Sequence, residues 1–166
     1  MTIKDAVARA SAYLTEHPDE ARYRDSPAIA RINAGLAASV TGPAGESVAT
    51  DMPAGIGGGA TAPSPGWLMR AAAASCVASL IAIRAAATGT LVGTIEVTVD
   101  SESDDRGILG LDAAIDAGAL SMKIVVSIGG IDAGSERARE LVDWAVEHCP
   151  VTDTIARAVP LDVELR

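Results

Sequence analysis

Two cysteines, Cys76 and Cys149, are the only residues in this chain whose types and settings point directly to chemistry. Cys76 stands in an apolar, alanine-rich run, and Cys149 stands in His148-Cys149-Pro150, where a helix should end. A thiolate is both nucleophile and redox centre, so two thiols brought together by the fold would form a thiol redox pair. Kept apart, they would be two small buried hydrophobes, the common fate of free cysteine. Composition decides neither way, and both readings stand open at this point.

Other chemistry is poorly supplied. His17 and His148 are the only histidines and share no metal-ligand spacing, so no metal site is expected. His148 adjoins Cys149, but neighbouring helix positions diverge by about 100°, which argues against a Cys-His catalytic pair. Gly55-Ile56-Gly57-Gly58-Gly59-Ala60 has the letters of a dinucleotide fingerprint. Pro63 and Pro65 keep it from opening a helix directly, and no lysine follows, so no nucleotide cofactor is expected and the stretch reads as a surface connection.

The 166 residues, 49% hydrophobic and 21% charged, fit one globular core. That core must come from Ala, Val, Ile and Leu, since Phe is absent and only Trp67, Trp144, Tyr13 and Tyr23 are aromatic. With a net charge of -9 and few stacking platforms, nucleic acid is excluded as an expected partner. Met1 to Asp5 leads into an amphipathic stretch with no signal-peptide pattern, which predicts a cytoplasmic protein. The apolar run from Ala71 to Ile83, flanked by Arg70 and Arg84, is shorter than the roughly 20 residues of a membrane span and reads as core. Two cysteines are too few for a disulfide scaffold, so a bridge between them would be transient and catalytic.

The pattern predicts the order α-β-β-α-β-β-α-β. Thr2 and Asp5 form a capping box before Ile3, Val7, Ala10 and Leu14, and His17-Pro18 stops this first helix. Residues 32–40 alternate with period two, and Gly42-Pro43-Ala44-Gly45 turns them into a second strand from Ser47 to Met52. Ser64-Pro65 caps a helix that runs through Cys76 to about Ala87, apolar nearly all round and therefore central and buried. Residues 94–100 and 120–128 alternate as half-buried antiparallel strands, joined by an acidic loop that reads as solvated. Ser135 opens a helix ending near His148, a helical turn follows at Thr152 to Arg157, and Leu161, Val163 and Leu165 predict a last strand. A central helix that cannot leave any face in water calls for cover, which a homodimer would supply.

This arrangement resembles the OsmC/Ohr family, the osmotically induced protein C and organic hydroperoxide resistance proteins, over roughly residues 28 to 166. Three stretches carry the likeness: Ser64-Pro65 leading to Ala73-Ala74-Ser75-Cys76, the loop Arg106-Gly107-Ile108-Leu109-Gly110-Leu111, and above all His148-Cys149-Pro150-Val151 with Thr152-Asp153-Thr154. The resemblance implies an α+β fold in which antiparallel sheets wrap central helices in an intertwined homodimer. Residues 1–27, an amino-terminal helix and its connector, would be an addition to a domain spanning 28–166.

By the same resemblance the chain would be a thiol-dependent peroxidase of organic hydroperoxides. Cys76 would attack the peroxide and become a sulfenic acid, Cys149 would resolve it as a disulfide, and a dithiol such as dihydrolipoamide would reduce the bridge. The sequence departs from the family's peroxidases at two places. Gly66 follows Pro65 where they carry a glutamate, and the loop from Gly42 to Glu46 lacks their arginine. Arg70 and Arg84 are not helical neighbours of Cys76. Among Arg22, Arg24 and Arg31, the last, just ahead of the first strand's apolar alternation, is the candidate replacement cation. The alternative reading is a family member without peroxidase activity that binds a small apolar ligand at its dimer interface, near Gly66 and Ala71 to Ala74.

Overall fold

Local capping signals set the helix boundaries. In the computed structural model, which describes residues 1–165, helix α1 spans Ile3–Glu16. The Thr2 hydroxyl accepts from the Asp5 amide at 3.1 Å while the Asp5 carboxylate accepts from the Thr2 amide at 3.2 Å, a reciprocal box that stabilises the first turn. Helix α2, Pro65–Thr88, begins where Ser64 Oγ accepts from the Trp67 amide at 3.2 Å. Helix α4, Glu136–Glu147, begins where Ser135 Oγ accepts from the Ala138 amide at 3.1 Å. The three expected starts are therefore made by the expected side chains.

The remaining elements are β1 (Ile29–Ile32), β2 (Ala38–Thr41), β3 (Ser47–Thr50), β4 (Ile95–Glu102), the short α3 (Asp105–Ile108), β5 (Ser121–Ile128) and α5 (Pro150–Ala156). Strands β1, β2 and β3 form one antiparallel sheet in chain order, and β4 pairs with β5 in a second. Two expectations are corrected. The alternating stretch 32–40 is not one strand, because the chain turns at Gly35 with φ +61° and returns, so that Ile32 faces Ala38 in register. Glycine enters that left-handed region without the Cβ penalty. No strand forms at the carboxyl end: Leu161, Val163 and Leu165 are 82 to 98% exposed and pair with nothing among the described residues. Their alternation has the right period but lacks a partner edge.

The described chain divides into two compact units, Arg9–Met69 and Met1–Ala8 with residues 70–165. The first holds the β1-β2-β3 sheet. Its described residues include no buried hydrophobic side chain, and only Thr50 and Asp51 are buried. Asp51 organises the glycine-rich loop, its carboxylate accepting from the amides of Met52 (2.8 Å), Gly59 (3.1 Å) and Thr61 (3.1 Å) and from the Thr61 hydroxyl (2.8 Å). The stretch read as a plain surface connection is a loop folded around one anionic side chain.

The second unit contains the core. Along α2, Ala73, Val77, Ile81 and Ala85 recur every four residues and are buried. Val77, Ile81 and Ala85 cluster with Leu141, Ala145 and Cys149 of the α4 segment, and the inward residues of β4 and β5, including Val97, Ile124 and Val126, pack against them. Ile95 opposes Ile128 and Val97 opposes Val126, so one sheet face presents a continuous apolar surface. Within one chain Ala72, Ser75 and Ser79 on α2 remain exposed. The helix runs from Pro65 to Thr88, within one residue of the expected end, and it is the one helix among the described residues long and apolar enough to cross a membrane. Its Val77-Ile81-Ala85 stripe lies in the protein core.

Candidate thiol redox site

Cys149 sits where α4 has ended and α5 begins. His148 closes α4, its amide bonding to the Trp144 carbonyl, and Pro150 at the first position of α5 has no N–H to leave unpaired. Cys149 is consequently the N-cap of α5, and its Sγ accepts from the Thr152 amide at 3.5 Å. The Thr152 hydroxyl donates to the Val146 carbonyl at 2.7 Å, tying α5 back onto α4. Cys149 is fully buried.

Cys76 approaches from α2. It lies one residue before Val77 in the buried stripe, so its side chain meets the edge of the core, partly buried against the cluster that contains Cys149. The two thiols, remote in sequence, meet in one core cluster, where each bears on the other's pKa, and both are free. Burial pushes the Cys76 thiol above its ordinary value. The Cys149 thiol and negative charge there push the same way, against a smaller opposing pull from the Val151 amide.

Cys149 goes the other way. Burial alone would raise it, yet the Thr152 amide, the Cys76 thiol and the Val151 amide together bring it below the ordinary thiol value. With the Thr152 hydroxyl proton committed to Val146 at 2.7 Å, the backbone amides are the donors that hold a thiolate. Taken by itself, the negative carboxyl end of α4 would raise the thiol's pKa. The start of α5 offsets this, because it begins at the very next residue and turns its amides onto the sulfur.

The arginines are placed as follows. Arg70 donates to Ser101 Oγ at 3.1 Å. Arg84 grips Glu140 through Nε at 2.7 Å and Nη2 at 2.5 Å and lies over the Trp144 ring, 5.1 Å from its centroid. Both guanidinium groups thus have other partners. Arg31 lies exposed on β1 opposite Ser39, in the Arg9–Met69 unit, whereas both cysteines belong to the other. His148 stacks on Trp144 with ring centroids 4.3 Å apart, and its Nδ1 donates to the Trp144 carbonyl at 2.8 Å, which accounts for that imidazole without the thiol.

Residues missed from the sequence are the amides of Val151 and Thr152. The signal was present: Cys-Pro followed by a threonine two residues on matches an N-cap, a proline at the first helical position and a third-position donor. Among the described residues no cluster of potential metal ligands occurs. A cleft of about 260 Å³ is lined by Ile124, Val126, Ile128 and Val142 together with the charged Arg139 and Asp143.

Comparison with known proteins agrees on one family. The family model described as OsmC-like protein matches residues 57–164. An organic hydroperoxide resistance protein OsmC, a predicted redox protein of Legionella pneumophila, superposes with a TM-score of 0.63 at 23% identity, covering 81% of this chain and 90% of that one. The organic hydroperoxide resistance protein OhrB of Bacillus subtilis gives a TM-score of 0.54 at 26% identity, covering 78% and 89%. An OsmC-like protein of unknown function from Vibrio cholerae gives 0.65 at 12% identity, covering 80% and 94%. No curated protein matches the chain significantly.

Proposed function

The chain belongs to the OsmC-like protein family, and within that family we propose that it is a thiol-dependent peroxidase that reduces organic hydroperoxides. The observation that carries this reading is the convergence of two free thiols, contributed by remote segments of sequence, on one core cluster. Packing alone would be served by any small apolar side chain at either position. Two similar structures are organic hydroperoxide resistance proteins, which points to the same substrate class.

In the proposed cycle Cys76, the more accessible of the two, attacks the terminal peroxide oxygen as its thiolate. The O–O bond breaks, the alkoxide leaves and takes up a proton, and Cys76 becomes a sulfenic acid. Cys149, already in contact and stabilised as thiolate, attacks the Cys76 sulfur and water is lost as the disulfide closes. A dithiol of the dihydrolipoamide type returns the pair to the reduced state. Arg31 is the proposed cation for the Cys76 thiolate in place of the family's loop arginine.

We place the reaction in a cytoplasmic homodimer. Support comes from the exposed Ala72, Ser75 and Ser79 on α2 and from the sheet unit's lack of a buried apolar core, since surfaces of this kind are completed by a second copy. Residues 1–27 are proposed as an addition to the family domain. The cleft beside β5 and α4, apolar along the strand with Arg139 and Asp143 on the helix side, favours a second reading, small-ligand binding without turnover. The deciding experiment follows consumption of an organic hydroperoxide with a dithiol reductant. The wild type should turn over, Cys76→Ser should be inactive, and Cys149→Ser should oxidise once and stall as a sulfenic acid that a dimedone-type probe labels. Equal activity in the wild type and Cys76→Ser would reject the proposal.

A further inference from the structure

We propose that the Cys76–Cys149 disulfide opens with a fixed polarity, an incoming thiol attacking Cys76 and Cys149 departing as a thiolate held by the Val151 and Thr152 amides. This deepens the peroxidase reading by assigning a direction to its reductive half. It rests on that reading only for the disulfide's biological origin.

Thiol–disulfide exchange requires in-line approach to one sulfur, and the two differ in access: Cys149 is 0% exposed, while Cys76 stands at the edge of the same cluster and is only partly buried. They differ again as leaving groups. Exchange is faster when the departing sulfur is the better-stabilised thiolate. Cys149 Sγ accepts from the Thr152 amide at 3.5 Å, and the Val151 amide also favours its thiolate. Cys76, on the middle of α2, has no free helix amides of its own.

The step balances as follows. A thiolate RS⁻ forms a bond to Cys76 Sγ, the Cys76–Cys149 bond breaks, and its electron pair goes to Cys149, leaving Cys76–S–S–R and Cys149–S⁻. A second thiol of the reductant then displaces Cys76, taking the two electrons' worth of oxidation away as its own disulfide. Each cysteine regains a proton from solvent or from the reductant thiols. Access and leaving-group stability thus select the same sulfur. Attack from the other side would require entry to a buried atom and departure of the less stabilised thiolate.

The test forms the disulfide in the full-length wild type with diamide, so that it does not depend on hydroperoxide chemistry. The oxidised protein is exposed briefly to 2-mercaptoethanol and quenched with acid. Free thiols are then capped with N-ethylmaleimide, and mixed disulfides are located by peptide mass mapping. The adduct should lie on Cys76 with at least about tenfold preference, and equal or reversed distribution would overturn the inference, as would failure of diamide to form the bond. Thr152→Pro, which removes the amide donor, should slow opening by about threefold to tenfold, while Thr152→Ala, which keeps it, should not. A Thr152→Pro protein that folds and opens at the wild-type rate would also overturn the inference, and if that variant does not fold, the mapping decides. Correct polarity without hydroperoxide turnover would sink the peroxidase reading alone; normal turnover with the opposite polarity would sink this inference alone.

Discussion

The Thr152 amide points at Cys149 Sγ across 3.5 Å, and Cys76 packs against the same core cluster from α2. The pair's first negative charge therefore settles on the buried cysteine rather than on the one proposed to attack. Coupled thiols of this kind lose their protons in two steps that belong to the pair.

That arrangement fixes the pH dependence. Cys76 is held above the ordinary thiol range, first by burial and then by Cys149, so its reactive thiolate grows as pH rises. Single-turnover alkylation of Cys76 by iodoacetamide should climb steadily from about pH 6 to 9. In Cys149→Ser the neighbouring charge is gone and the profile should move to lower pH. A rate already level at pH 6 in the wild type would show that a cation controls Cys76.

Arg31 and Gly66 test the identity of such a cation. If Arg31 serves the thiolate, Arg31→Ala should lower the rate of Cys76 oxidation at pH 7 by about tenfold, equivalent to roughly one pKa unit, while Arg31→Lys retains part of it. Gly66→Glu should give no rescue unless Arg31 stands beside it, because a carboxylate without a nearby cation repels a thiolate. Stopped-flow measurement of sulfenic acid formation separates these outcomes, and a faster Gly66→Glu enzyme would show that a cation already stands there.

The assembly is tested by sedimentation equilibrium at micromolar concentration, where a homodimer is expected. A monomer would contradict it. Ser79→Arg on the exposed side of α2 should shift the equilibrium toward monomer, since a desolvated charge without a partner is costly.

Leu141 has no exposed surface and lies in the cluster with Cys149. Leu141→Ala should destabilise the fold by about 2–5 kcal/mol through the cavity it leaves. Urea unfolding measures this, and a loss below about 1 kcal/mol would show that the site collapses around the change.

Asp51 makes a prediction at the acid end. Donation from the Thr61 amide, then the Thr61 hydroxyl and the Met52 and Gly59 amides, holds its carboxyl below the usual value. A depressed folded-state pKa contributes stability above the unfolded value near 3.9 and loses it as pH falls through the lower folded one. Asp51→Ala should therefore lower the thermal midpoint at pH 7 and narrow its gap to the wild type in strong acid. The same midpoint in both proteins at pH 7 would show that the loop holds without its anion.

Where a signal is local, the sequence is enough to read it. Thr2, Ser64 and Ser135 announce the helices they cap, and the alternation of residues 95–102 against 121–128 announces the β4-β5 pair. Non-local facts escape it. The exposed alternation of Leu161, Val163 and Leu165 is a strand only if an edge is available, and period alone cannot supply one. Cys76 and Cys149 are visible as residues but not as a pair, because their contact depends on how α2 packs against the α4 segment. The electrostatic character of Cys149 turns on which of two abutting helices claims it, a matter of one residue.

Gly107 leads to a different kind of consequence. A Cβ on this residue would drive into the backbone carbonyl of Asp116, with Ala117 only 3.0 Å from it. The Arg106–Leu111 motif is therefore fixed by the way one loop closes on itself, and it owes nothing to either sulfur. That loop answers to its own closure, so its residues carry information about architecture, and the chemistry proposed for Cys76 and Cys149 has to be read at those two positions.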